Sequence, residues 1–417
     1  MLQEYRYLKH CRLCGKDSLK FAFGFGDLPL GNNLQLTLKS AKECSVYPLG
    51  LNWCSSCGHI QLTHAINNEL LYATNYTYLS SVGKSFLKHF EDFVEWACKI
   101  TSIDKGELVV DVGSNDGSCL SFFKRKGMRV CGVDPASFAV EKARAKGVYT
   151  VHDFFGVDVA RQVVKNFGQA TLVTTHNVLA HVDNLHEVFD AIDVVLAERG
   201  WLCIEVGYFG LVYQKGLIDT IYHEHLDYHT AGPFVQFLEA RGLTVVSIST
   251  NGAQGGTIRI LSQKKRTVIR SEKITKFIKH EKDSLNITDE TLRLWKSSII
   301  SKIRLLGESL LKFYEHGSRI VAYGAPTKAT LLLREMQLKP DVIVKIYEDN
   351  DLKVGRFMPG SGIPICSAEN MRLTDTDTVL ILAWNFRDDI VAKLHKKSSV
   401  QCRVVVPLPQ LEIGSLR

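Results

Sequence analysis

Hydrophobic and polar positions give the chain three textures. Up to about residue 75, short apolar runs are interrupted by turn residues and no period is sustained. From about residue 76 to 262, apolar runs of strand length, "GELVVDVG", "RVCGVDP", "ATLVTTHNVL", "GWLCIEVG", "LTVVSIST" and "TIRILSQ", alternate with amphipathic segments. Runs apolar at successive positions suit strands buried on both faces. Their alternation with helical patterns predicts a mostly parallel sheet covered on both sides. Past residue 263 comes a long charged helical stretch, about Ser271 to Gly317, after which "SRIVAYGAP", "VIVKIYED" and "DTVLILAWN" restart the alternation. The pattern therefore predicts three units, 1–75, 76–262 and 263–417, the last two being α/β. No period repeats along the chain, so the two α/β units are alike in kind without being copies.

Composition narrows the function. With 417 residues, 45% apolar and 23% charged, the chain can bury real cores in two or three domains. No apolar run reaches the ~18 residues of a membrane span, and "MLQEYRYLKH" lacks a signal's apolar region, so a cytoplasmic protein is expected, with no membrane contact. The net charge of +7 is modest, and even "SQKKRTVIRSEKITKFIKHEKD" mixes in acids, which argues against a nucleic-acid partner while suiting anionic substrates. Nothing in the pattern points to an obligate protein partner. Eleven cysteines without an export signal read as thiols or metal ligands rather than disulfides.

Cys11 and Cys14 in "CRLCG" and Cys54 and Cys57 in "CSSCG" form two C-x-x-C knuckles, each followed by glycine. Four thiolates at this spacing suit a closed, structural Zn2+ site. Cys44 lies between the knuckles without partner spacing. "LVVDVGSNDGSCLSFFKRKG" reads as strand, glycine turn and helix, with Gly113, Asn115 and Gly117 in the turn and Asp134 ending the next strand. Glycines allow close backbone approach to a ligand, and an acid at the second strand tip can accept from ribose hydroxyls. The turn resembles the first motif of class I S-adenosylmethionine (SAM) methyltransferases, which would put Asp111 near the methionine end of SAM. In "THNVLAHVDNLHEVF", His176, Asn177 and His181 follow a strand, where open α/β sheets bind ligands. "TIYHEHLDYHT" concentrates proton donors and acceptors: a helix would align Tyr222, His225 and His229, and a strand would align Tyr222 with Glu224.

Taken in order, "CRLCG", "CSSCGHIQL", "NYTYLSS", "DVGSNDGS", "NVLAHV", "YHEHLDY", "GAPTKATLLL", "VGRFMPGSGIPI" and "LAWNF" resemble the SAM-dependent C-methyltransferases of deoxysugar biosynthesis, the tetronitrose-type nucleotide-sugar C-3 methyltransferases. The resemblance implies an N-terminal zinc-binding domain, a central Rossmann-like SAM methyltransferase domain and a C-terminal Rossmann-like domain that helps hold a nucleotide-linked 4-keto-deoxysugar, dTDP- or GDP-type. It further implies His225 as the base at C-3, Tyr222 at the enolate or the opposite face, Glu224 orienting its neighbours, His181 near the keto group and Tyr76 covering the sugar. Asn177 goes with the cofactor; His223 and His229 are read as structural, and Asp227 and Tyr228 take no role. The chain departs from the family at Ala329, where glycine usually follows the lysine of "GAPTK". C-5 or O-methylation of a nucleotide sugar is the alternative. A zinc-knuckle RNA methyltransferase fits less well, since "HNVL" stands where amino-methylating enzymes carry an Asn/Asp-Pro-Pro-aromatic loop.

Overall fold

The computed structural model describes residues 4–72, 84–265, 267–397 and 401–416; Tyr76 lies outside them. Three main sheets organise those residues. The central one has seven strands in the order Leu243–Asn251, Thr257–Lys264, Leu196–Gly207, Ala170–His176, Leu108–Val112, Arg129–Asp134 and Thr150–His152. All run parallel except Thr257–Lys264, which is antiparallel to both neighbours. The strand order reverses between Leu108–Val112 and Ala170–His176, and at such a switch point the loops diverge and leave a crevice at the carboxyl ends.

Side-chain alternation builds a layer on each face. Val109 and Leu172 pack with Phe93, Leu120 and Phe123 on one side, while Val110 and Val173 pack with Val163, Ile192 and Phe234 on the other. Each fully buried large apolar side chain contributes roughly 1.5–3 kcal/mol, so both helical layers are firmly held. The expected boundary at 262 falls inside the Thr257–Lys264 strand.

The N-terminal sheet pairs Leu19–Pro29, Val46–Cys54 and Ile60–Leu62 antiparallel, and its fourth strand, Asp227–Tyr228, arrives from the histidine-rich segment. The C-terminal sheet runs Ile365–Ser367, Ile343–Glu348, Arg319–Tyr323, Asp377–Ile381, Arg403–Val406, Glu412–Ser415, antiparallel only at the last pair. Between these two sheets lies the helix Asp289–Glu315, whose Leu292, Ile299 and Ile303 join one core with Phe23, Leu51, Val321 and Leu380. The expected single stretch from Ser271 to Gly317 is two helices. Glu272–Leu285 ends at Asn286 with φ 43°, and a Thr288–Thr291 capping box starts the second. Asn tolerates the left-handed conformation and Thr satisfies orphan N–H groups, so the break is locally encoded.

Candidate active site and zinc site

The sulfurs of Cys11, Cys14, Cys54 and Cys57 all lie within 4.8 Å of one another. Cys11 and Cys57 Sγ are 3.6 Å apart, and Cys14 and Cys54 Sγ 3.7 Å. A tetrahedral zinc with Zn–S of about 2.3 Å separates its sulfurs by about 3.8 Å, so the donor set fits the ion. Each knuckle is a tight turn. Gly15 and Gly58 donate their N–H to the carbonyls of Cys11 and Cys54, both at 2.8 Å, and take φ of 70° and 83°, angles that glycine adopts without strain. Ser18 Oγ adds a contact of 3.1 Å to Cys54 Sγ. Cys44 stands apart, its thiol against the Ala41 carbonyl at 3.2 Å.

At the central switch point, Thr174 donates to Asp111 Oδ1 at 2.8 Å across adjacent strands, and burial pushes the Asp111 carboxyl up to about 7. Gly113 has φ 68°, and a Cβ there would meet Val178 Cγ2 at 2.2 Å, so any side chain at this position is strained and must push Val178 aside. Asn115 follows at φ 48° and Gly117 at φ 69°. Asp134 fastens the turn: its Oδ2 accepts from the Asn115 N–H at 2.8 Å and its Oδ1 from that of Ala136 at 2.9 Å. Among the described residues, Ser114 Oγ and His176 Nδ1 are buried without a hydrogen-bond partner, as a polar ligand's site would leave them. Asn177, at φ 56°, donates its N–H to the Glu205 carbonyl at 2.7 Å. Burial holds His176 neutral, down at about 4.

The histidine-rich segment is neither helix nor strand where it matters. The N–H of His225 closes a turn on the Tyr222 carbonyl at 3.0 Å, and the chain turns extended only at Asp227–Tyr228. That turn sets the two rings against each other, tilted by 36° with centroids 4.0 Å apart and 2.6 Å between Tyr222 Oη and His225 Nε2. His225 Nδ1 lies 3.0 Å from the Thr220 carbonyl. A carbonyl only accepts, so Nδ1 carries the proton and Nε2 keeps its lone pair. Each ring retains a part-exposed edge, yet the surrounding protein desolvates His225 and, with His181 nearby, holds its pKa well below the ordinary imidazole value. His181 meets His225 edge-on at 4.8 Å and is itself held down at about 4 by burial, against the effect of a hydrogen bond to the Glu224 backbone.

Glu224 turns away from this pair. Asn32 Nδ2 donates to its Oε1 at 2.8 Å, Thr327 donates to Asn32 Oδ1, and burial raises the Glu224 carboxyl to about 7. One chain of bonds thus ties the histidine-rich segment to loops of the N-terminal and C-terminal units. His223 is buried against the Tyr47 carbonyl at 3.1 Å, and His229 is buried and stacked on Phe234.

Sequence reasoning passed over several groups. Lys328, its ammonium 3.5 Å above the Trp384 ring and 3.8 Å from Asp219 Oδ2, is pushed by burial down to about 8 and adds to the field at His225. Beside His176, Glu205 gathers His89 at 2.5 Å and Arg259 at 2.7 Å. Burial alone would raise its carboxyl, but the hydrogen bond with His89 and the charge of Arg259 hold it down at about 2. Arg12 and His59, neighbours of the zinc cysteines, both reach Asp227. Their only sequence signal is their place beside the knuckles.

Three family models match successive stretches of the chain. A model described as a zinc binding domain matches residues 11–72, a methyltransferase domain matches 89–248 and a C-methyltransferase C-terminal domain matches 252–409. The C-methyltransferase NovU of Streptomyces niveus is 30% identical over 411 residues, 98% of each chain. Among solved structures, the magnesium protoporphyrin IX methyltransferase of Synechocystis with bound SAH matches at a TM-score of 0.35 and 16% identity, over 44% of this chain and 89% of its own. The YcgJ protein of Bacillus subtilis matches at 0.34 and 12%, over 43% of this chain and 100% of its own.

Proposed function

Because the chain belongs to the SAM-dependent C-methyltransferase family that includes NovU, with SAM as methyl donor and a structural zinc, we propose that it methylates C-3 of a nucleotide-linked 4-keto-deoxysugar. The single observation that carries this reading is the Tyr222–His225 pair, in which the Nδ1 proton is committed to the Thr220 carbonyl and Nε2 is left as the base. Carbon methylation beside a ketone needs a proton removed from carbon and negative charge stabilised on oxygen. A neutral imidazole and a phenol in contact meet both needs.

In the proposed reaction the sugar's C-3 hydrogen takes the hydroxyl's place on His225 Nε2, and Tyr222 turns its O–H to the keto oxygen. The C–H bond breaks, its proton goes to Nε2 and its electron pair passes into the enolate. Bound SAM supplies a sulfonium methyl as the electrophile. His181 lies against His225 and holds the substrate beside the ketone; Glu224, through Asn32 and Thr327, fixes the turn that carries both rings. Asp111, Gly113, Asn115, Gly117, Asp134 and Asn177 are assigned to SAM in this reading. Tyr76 retains its expected role over the sugar. The nucleotide is assigned to a dTDP- or GDP-type carrier on the C-terminal side of the site.

The test is a mass-spectrometric screen of dTDP- and GDP-linked 4-keto-deoxysugars with SAM, each beside its 4-hydroxy counterpart. The expected product gains one methyl group on carbon, from the ketones only. Methylation of the 4-hydroxy sugars on oxygen would overturn the reading.

A further inference from the structure

Arg12 sits between two zinc ligands, yet its side chain leaves the metal. Its own main chain is held on both sides, the N–H donating to Gln61 Oε1 at 2.8 Å and the carbonyl accepting from His186 Nε2 at 3.0 Å. From that fixed base the guanidinium spends its donors on two separate loops. Nε lies 3.0 Å from both carboxylate oxygens of Asp227, Nη1 donates to the Asp183 carbonyl at 2.8 Å and Nη2 to that of Val182 at 2.5 Å. Val182 and Asp183 directly follow His181, and Asp227 stands two residues after His225. The loops also meet through the backbone, with Leu226 N–H on the Ala180 carbonyl at 2.6 Å. His59, just past the second knuckle, completes Asp227 at 2.8 Å, and the Asp227 side chain is 0% exposed.

We propose that Arg12 is a positioning residue, setting the spacing between the loops of His181 and His225 and so carrying the geometry of the zinc knuckle into the catalytic pair. The inference rests on the reading of His225 and His181 given above. A single buried ion pair would need only one acceptor. Arg12 instead uses a rigid planar fork on three acceptors from two loops, a pattern that the compact ammonium of lysine does not reproduce.

The experiment compares Arg12→Lys and Arg12→Gln with His225→Asn and with Arg319→Lys. The last perturbs another partly buried pair, Arg319–Asp377 at 2.6 Å in the C-terminal sheet. All are assayed well below their melting temperatures, with a dTDP-linked 4-keto-2,6-dideoxyhexose and its GDP counterpart as probes. Zinc content, calorimetric SAM affinity, kcat, KM and amide hydrogen exchange of residues 180–183 and 222–228 are read. In the Arg12 variants zinc and SAM affinity should stay at the wild-type level. Both segments should exchange faster, and kcat should fall roughly 10²-fold with little change in KM, the cost of displacing a reacting group by about 1 Å. Wild-type kcat in Arg12→Lys beside an inactive His225→Asn overturns the inference alone. So does an equal loss in Arg319→Lys, or loss of zinc in step with activity. Near-normal turnover in His225→Asn overturns the reading of the site itself, and the inference with it.

Discussion

His225 has one ring nitrogen donating to a carbonyl and the other against a phenol, in surroundings that disfavour its charged form. In the proposed reaction the neutral imidazole is the base, so depression of its pKa moves the acid limb of the rate profile down. Proton abstraction at C-3 should therefore stay level as pH falls through 6.5, the ordinary imidazole value, and a limb centred there would refute the assignment. A limb near 7 that disappears in Glu224→Gln would belong to Glu224. Acid should also cost stability, because below 6.5 the unfolded chain takes up a proton that folded His225 refuses. Gly113 makes a separate demand. Gly113→Ala combines a left-handed φ, worth about 1–2 kcal/mol, with the 2.2 Å contact to Val178 Cγ2. SAM affinity measured by calorimetry should fall at least ~10-fold, about 1.4 kcal/mol. Val178→Ala in the same chain should restore part of it by removing the contact but not the strain. Of these residues the glycine was legible from its place after a strand. The His225 tautomer was not, because it depends on a carbonyl that only the folded turn brings within reach.

At the scale of elements, the glycine turn is latched to the neighbouring strand by Asp134, whose two oxygens accept the N–H groups of Asn115 and Ala136. Asp134→Ala would leave both donors without that acceptor, at roughly 1–3 kcal/mol for each group left buried and unpaired. SAM binding should weaken at least ~10-fold, through the turn as well as through any ribose contact; wild-type affinity would show that the latch is dispensable. The strands themselves were legible because strands buried on both faces are near-continuously apolar. The helix break at Asn286–Thr288 was encoded too, but the charged pattern runs on across it. The turn at Tyr222–His225 could not be read locally. It is set by the pairing of Asp227–Tyr228 with Ile60 and Gln61, partners far back in the chain. Arg12 was hidden for the same reason, its acceptors lying 170, 171 and 215 residues away in sequence.

In the whole molecule the zinc unit is not an appendage. Its sheet takes its last strand from the histidine-rich segment, and its Asn32 bridges Glu224 to Thr327 of the C-terminal unit. Structural zinc is worth on the order of 10 kcal/mol in isolated knuckle peptides, comparable to the whole stability of a domain. Cys54→Ser or a strong chelator should therefore unfold the N-terminal unit, seen as loss of the bound zinc and an early melting step. Turnover should disappear with it while the central sheet still binds SAM, and full zinc content in Cys54→Ser would exclude the site. The zinc-binding and methyltransferase character of the first two units was legible in motifs along the chain; the interlocking of the units was not, since it consists of contacts between segments that no local pattern relates. The account's central claim is tested most directly by deuterium incorporation into a dTDP-linked 4-keto-deoxysugar in D2O, with SAM replaced by its demethylated product so that no methyl can transfer. Wild-type protein should exchange the C-3 hydrogen, and His225→Asn should do so slower by roughly 10²–10⁴, the contribution of a positioned general base, with SAM affinity unchanged. Exchange at C-3 at the wild-type rate in His225→Asn, or exchange at C-5 instead, would contradict it.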